Sequence, residues 1–247
     1  MKIQRLYSYV RQALDTYPMI ASGDKIAVGI SGGKDSLTLL YALAGLRKFY
    51  PKPFEICAIT VDLGFGEFEL SPIRDLCERL QVEYYVEHTQ IGEIVQNQEG
   101  HSRCSLCSKL RKGALNERAL ALSCNKIAYA HHMDDMIETM LLSLFYEGRF
   151  YSFSPTTLLE RTQLTVIRPM MFVPEADVIG FANKYALPTV KNPCPMDGNT
   201  KREYIKQLLR QLNKENPGIK KRLFHAILTG KIEDWPNTFV QGGRTNE

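Results

Sequence analysis

The stretch that most limits what this chain can become is Lys25-Ile-Ala-Val-Gly-Ile30, a short apolar run broken by Gly32 and Gly33 and followed from Leu37 to Phe49 by apolar residues at helical spacing. A run this short, ended by glycines, reads as a buried strand rather than a helix. The order is strand, glycine turn, helix, and it recurs. Strands are predicted at Phe54 to Val61, Glu83 to Glu87, Lys126 to Ala130 and, as a fifth, Leu164 to Ile167. Helices are predicted from Ser71 to about Leu80, and at Ser108 to Leu122, Asp134 to Tyr146 and Pro174 to Tyr185. Ser71-Pro72 offers a capping hydroxyl followed by proline at the first helical position. An amphipathic helix through Tyr7, Val10, Ala13, Leu14 and Tyr17 precedes them. Alternation of this kind implies right-handed crossovers and an α/β fold: a mostly parallel sheet with helices on both faces.

From Lys191 the character changes to a Pro/Cys/Gly loop, a basic helix from Arg202 to Leu212 and a segment near Ile219 to Leu228. We therefore expect a nucleotide-binding domain over 1–190, with an insert near 101–113. A cysteine loop and a small basic helical extension would follow over 191–247, fraying near Gly242-Gly243. The apolar share, 44% of 247 residues, is enough for a real core and excludes disorder. Lys2, Arg5, Arg11 and Asp15 interrupt the first 17 residues, so no signal peptide is expected, and no run approaches a membrane span. The expectation is a cytoplasmic protein without a membrane partner. Six cysteines in such a chain suggest metal or redox chemistry rather than a disulfide scaffold.

Ligands of open parallel sheets bind beyond the carboxyl ends of the strands. The first such end carries Ser31-Gly32-Gly33-Lys34-Asp35-Ser36. Its glycines allow close approach, amides at a helix start suit phosphate oxygens, and Ser31, Ser36 and Lys34 add donors and a cation. Asp35 is unexpected beside phosphate unless it serves a metal ion or catalysis. A Walker A loop needs Ser or Thr after Gly-Lys, and the dinucleotide fingerprint needs a different glycine spacing, so both are excluded. The fourth strand's end carries Ala130-His131-His132-Met133-Asp134-Asp135-Met136-Ile137-Glu138-Thr139. There Asp134 is placed to cap a helix or bind Mg²⁺, and His132 to hold a phosphate or ribose oxygen. Asp62, ending the second strand, suits a ribose hydroxyl or an ordinary turn before Gly64.

Cys104 and Cys107 form Cys-x-x-Cys ahead of a helix whose first turn is Lys109 to Gly113. Half a zinc site, a redox dithiol and part of an iron–sulfur site all fit. Cys194, in an irregular loop, is the best third ligand, and His101 a fourth for zinc. Cys57, Cys77 and Cys124 fall inside or at the ends of predicted elements and read as buried small hydrophobes. Between Lys201 and Arg222 lie eight Lys or Arg and two Glu, a local charge of +6 against +4 for the whole chain. Such a strip is a solvated helix face or a track for an RNA backbone. Tyr151 and Phe153 suit base stacking or loop packing equally.

The Ser31–Ser36 block resembles the pyrophosphate loop of the N-type ATP-pyrophosphatases, which share an adenine-nucleotide-hydrolase-like fold and split ATP between the α and β phosphates. The His131–Thr139 block resembles their lysidine and tRNA-thiolation branch, with Ala130 where glycine is usual. The block Arg103 to Gly113, then Ile167-Arg168-Pro169, then Cys194, narrows the resemblance to the tRNA 2-thiocytidine synthetase family, over about Lys25 to Leu228. That resemblance implies ATP and Mg²⁺ as cofactors, with Ser31, Gly32, Gly33, Lys34, Asp35, Ser36, Asp62, His132 and Asp134 at ATP. It implies Lys34 and Asp35 in catalysis, and Asp35 and Asp134 at Mg²⁺. It further implies a 4Fe–4S cluster on Cys104, Cys107 and Cys194, although family members usually place the third cysteine in a second Cys-x-x-Cys. Arg111, Lys112, Lys206, Arg210, Lys220 and Lys221 would then meet RNA. The partners would be tRNA and a cysteine desulfurase, with a homodimer left open. The expected activity is ATP-dependent tRNA sulfur transfer to a pyrimidine, plausibly cytidine 32. A lysidine-type ligase with a zinc site and a non-enzymatic nucleotide-binding module are the alternatives.

Overall fold

Hydrophobic periodicity is realised at once in the first helix of the computed structural model, which describes residues 1–98, 103–190, 193–194, 201–230 and 232. α1 (Ile3–Thr16) buries Leu6, Val10, Ala13 and Leu14, one stripe at helical spacing. β1 (Asp24–Gly29), α2 (Lys34–Leu46) and β2 (Phe54–Asp62) follow, then α3 (Ser71–Arg79), β3 (Glu83–His88), α4 (Ile91–Gln96) and α5 (Arg103–Ala121). The chain continues through β4 (Lys126–Ala128), α6 (Met133–Glu147), β5 (Thr156–Leu159), β6 (Leu164–Ile167), α7 (Glu175–Lys184), α8 (Lys201–Glu215) and α9 (Ile219–Thr229).

The strands form one sheet in the order β3-β2-β1-β4-β6-β5. All neighbours are parallel except β5, which pairs antiparallel with β6 at the edge. Val28 is registered with Ala58 on one side and Ala128 on the other. Ile26, Ala27 and Val28 are fully buried, as central strands covered on both faces require. The chain runs from β1 to β2 and β3 on one side, then returns to place β4 on the other side of β1. This reversal opens a crevice at the carboxyl ends of β1 and β4, where ligands of such sheets bind.

Two compact units emerge: Met1–His132 with Thr156–Asp197, and Met133–Pro155 with Gly198–Glu247. The first holds the whole sheet; the second holds α6, α8 and α9. These units do not follow the linear division at 190/191 expected from the sequence. α6 joins the C-terminal helices because its acidic residues are neutralised by bases on α8 and α9, a pairing between segments distant in sequence.

Three local expectations also change. α5 starts at Arg103, five residues before the expected Ser108, so Cys104 and Cys107 lie within its first turns. The Ser71 hydroxyl does not cap α3; it donates to Glu69 Oε1 at 2.6 Å, and Leu70 stands at the N-cap. α4 and β5, six and four residues long, lie outside the sequence reading because pieces so short carry little periodicity. Among the described residues no helix is long and apolar enough to cross a membrane.

Candidate functional site

The loop between β1 and α2 is braced by its own serines. The Ser36 hydroxyl donates to the Gly33 carbonyl at 3.0 Å and accepts from the Ser31 amide at 3.2 Å. Gly32 adopts φ +82°, where a side chain is strained, and a Cβ there would stand 2.5 Å from Val190 Cγ2 and 3.1 Å from its carbonyl oxygen. The Val190 amide donates to the Gly32 carbonyl at 3.0 Å. Lys34 Nζ donates to both Asp35 oxygens at 3.0 Å and to Glu175 Oε1, at the start of α7, at 3.4 Å. Lys34 also lines a cleft of about 320 Å³ with Ile179, Ala182, Asn183, Leu187 and Thr189. Three features that bind phosphate thus coincide: a helix start, a glycine held in the left-handed region and a lysine at an open cleft.

The adjoining strand ends add three side chains. Beyond β4, the buried His132 places Nε2 3.7 Å from Asp35 Oδ1. His131 Nδ1 accepts from Arg168 Nε at 3.2 Å, and Arg168, buried at the end of β6, also reaches Thr157 Oγ1 at 3.4 Å. Arg111 and Lys112 of α5 add positive charge here. Lys112 is exposed as a residue, yet burial of its head group, then Arg168 and Arg111, pull its pKa down. Asp62, by contrast, spends its carboxylate on the turn. It accepts from the Gly64 amide at 3.1 Å and lies 3.0 Å from His88 Nδ1.

Cys104 and Cys107, three residues apart on α5, share a helix face. Cys107 is half-buried, and burial raises its pKa; Arg111 opposes the shift, while Cys194 and Cys104 add to it. Cys194 therefore lies near enough for its charge to be felt at Cys107. Among the described residues no three His, Cys, Asp or Glu side chains converge tightly enough to hold a metal ion as they stand. The donor set, three thiols, suits a soft iron–sulfur group. His101 lies outside the described residues. Cys57, Cys77 and Cys124 are buried, with Cys57 and Cys124 in contact at 3.5 Å.

The second unit changes the meaning of the basic strip. Lys220 Nζ donates to Asp134 Oδ1 at 2.6 Å. Arg202 bonds Glu138 Oε2 at 3.1 Å and Thr139 Oγ1 at 3.2 Å, and Lys206 lies 3.9 Å from Glu138. Arg210 stands 3.8 Å from Glu203. Lys206 and Lys220 thus pair with acids of α6 and help hold α8 and α9 on it. Lys221 is exposed. Asp134 sits in the first turn of α6, buried against Lys220, rather than at a cap.

Burial pushes the Glu138 carboxyl up to about 7, against the pull of Lys206 and Arg202. Because that value lies above the unfolded one, the stability it contributes is present at acid pH and is lost as pH rises through about 7. We expect the melting temperature to fall by a few degrees between pH 5 and 8, and Glu138→Gln to remove that fall. Thermal melts across this range check it; an equally steep fall in the variant would refute it.

Residues 4–213 match the family model for the PP-loop domain. The chain is 37% identical over 231 residues to the tRNA-cytidine(32) 2-sulfurtransferase of Geobacter sulfurreducens, covering 92% of this chain and 90% of that protein. It is 40% identical over 228 residues to the protein of the same name from Geotalea daltonii, covering 91% and 90%. The chain belongs to the tRNA-cytidine(32) 2-sulfurtransferase family of PP-loop proteins. Among solved structures, the U34-tRNA thiolase NcsA from Methanococcus maripaludis with its [4Fe-4S] cluster superposes with a TM-score of 0.74 at 26% identity, over 94% of this chain and 80% of that one. An NH3-dependent NAD synthetase from Campylobacter jejuni, at 16% identity and a TM-score of 0.50, shares the fold. In this member of the sulfurtransferase family, Glu175, Val190 and His88 contact the candidate site residues Lys34, Gly32 and Asp62 and were not anticipated from the sequence. Each sits on an element remote in sequence from the residue it supports, and no local pattern marks it.

Proposed function

We propose that this chain is an ATP-dependent tRNA sulfurtransferase that makes 2-thiocytidine, at cytidine 32. One observation carries the reading. The Val190 amide bonds the Gly32 carbonyl of the candidate phosphate loop at 3.0 Å, and Val190 precedes Cys194 by only four residues.

The reaction has two substitutions. The base oxygen attacks the α phosphate of ATP, and the bond to the bridging oxygen breaks, so pyrophosphate leaves with the electron pair. A sulfur nucleophile then adds at C2, the C2–O bond breaks, and AMP departs carrying the base's oxygen. Lys34 and the amides at the start of α2 stabilise charge growing on the leaving phosphates. Glu175 keeps Lys34 directed at the cleft. His132 is buried with Nε2 3.7 Å from Asp35 Oδ1, and that carboxylate is accessible enough to take Mg²⁺. Asp134 fits Mg²⁺ less well, since Lys220 already neutralises it. Cys104, Cys107 and Cys194 would hold a 4Fe–4S cluster, which when bound supplies an open iron for sulfur. Arg111, Lys112, Arg210 and Lys221 are among the basic residues suited to tRNA phosphates. A cytoplasmic location and a cysteine desulfurase as donor complete the proposal.

The test is anaerobic incubation of the holoenzyme with ATP, sulfide and a tRNA bearing cytidine 32. One pyrophosphate and one AMP should form per sulfur incorporated. In a parallel incubation with lysine in place of sulfide, lysine ligated to the base, with zinc at the cysteines, would establish the lysidine-type alternative; ATP binding without pyrophosphate release would establish a binding module.

A further inference from the structure

The second unit carries aromatic side chains that this chemistry does not use. Phe145 and Tyr146, near the end of α6, are 52% and 47% exposed, and Tyr204 on α8 is 57% exposed. Single exposed rings need no explanation, but these are interleaved with cations. The Lys201 ammonium stands 4.2 Å from the centroid of the Tyr146 ring. Tyr204 is three residues beyond Lys201, one turn on along the same face of α8. In the loop after α6, Arg149 lies 4.8 Å over the Tyr151 ring.

Charge selects the occupant. The α6 acids that would repel a polyanion are taken up by bases of the same unit: Asp134 by Lys220, and Asp135 and Glu138 by Arg202. Glu147 faces Arg149 and Glu203 faces Arg210. Lys201, Lys214, Lys221 and Arg222 then give the unit's surface an excess of positive charge. Exposed rings beside cations match unpaired nucleotides, whose bases stack on aromatic faces while their phosphates seek ammonium groups.

We propose that Tyr146 and Tyr204, with Lys201 beside them and Phe145 adjoining, form a stacking platform for unpaired bases of an RNA loop, and that Lys201 meets a neighbouring phosphate. The inference rests on the tRNA reading above and assigns where the loop is gripped.

The experiment measures binding of an anticodon stem-loop RNA to the full chain by fluorescence anisotropy. A fully paired stem of equal length, melting curves and sedimentation of each variant serve as controls. Tyr146→Ala and Tyr204→Ala should each weaken loop binding about tenfold. Tyr204→Phe should retain it, and binding to the paired stem should not change. Lys201→Ala should lower the salt dependence, whereas the tyrosine variants should not, because stacking releases no counterions. Unchanged loop affinity in folded tyrosine variants, or equal losses on the paired stem, would overturn the platform. So would a wild-type oligomer that dissociates when the rings are removed, since that marks the patch as a contact between copies of the chain. Wild-type protein that binds no anticodon stem-loop would instead defeat the parent reading.

Discussion

Lys34→Ala is expected to lower ATP-dependent pyrophosphate release roughly 10²- to 10³-fold, the usual cost of removing one preorganised donor from a site where charge develops. Lys34 meets Asp35 and Glu175 and lines the cleft next to the helix start. It is thus positioned before ATP arrives and need not be reorganised during the reaction. Gly32→Ala should be as damaging for a different reason. At φ +82°, with Val190 Cγ2 only 2.5 Å from where the new Cβ would stand, even one methyl group must shift the loop or break its bond to Val190. Ser36→Ala, which removes only the hydroxyl that ties Gly33 to Ser31, should lose less than Gly32→Ala. Pyrophosphate release and melting curves check all three together. Gly32→Ala or Lys34→Ala retaining half of wild-type release would remove this loop from the phosphate site.

The second large effect concerns sulfur. Cys104→Ala, Cys107→Ala and Cys194→Ala should each bleach anaerobically prepared protein and stop thiolation, while Cys77→Ala should do neither. Cys104 and Cys107 share a face of α5 and Cys194 lies within electrostatic reach of Cys107, whereas Cys77 is buried in α3. The variants should still bind ATP, because the loop at Ser31–Ser36 is braced by its own serines and by the Val190 amide. Iron and sulfide analysis, with absorbance spectra, measures the outcome. Full iron content in Cys194→Ala would exclude Cys194 as a ligand, and stoichiometric zinc in active wild-type protein would replace the cluster altogether.

Much of this was legible in the chain because it is local. Apolar runs of strand length, glycines between strand and helix, and the His131–Thr139 block each announce their role within a dozen residues. That is enough for a parallel sheet with helices on both faces and for its ligand-binding end. What was not legible is pairing at a distance. The basic strip read as one surface, but Lys206 and Lys220 pair with Glu138 and Asp134, acids some 70 to 90 residues earlier. α6 is separated from α8 by the last two strands and α7, so a linear division places it with the sheet. Asp62 was open between nucleotide and turn; its contacts with Gly64 and His88 are those of a turn residue, and Asp62→Asn should cost stability before it costs ATP affinity. The cysteine pair was displaced from a loop to a helix because Arg103 and Ser105 carry no stop signal, and the helix extends through them.

The most direct test of the central claim is mass spectrometry of nucleosides from tRNA that has reacted with holoenzyme, ATP and sulfide without oxygen, with AMP and pyrophosphate measured in the same sample. The expected result is 2-thiocytidine at position 32, one AMP and one pyrophosphate per sulfur, with all three reduced roughly 10²- to 10³-fold in Lys34→Ala. Release of AMP and pyrophosphate with cytidine 32 unchanged, or with sulfur on another base, would contradict it.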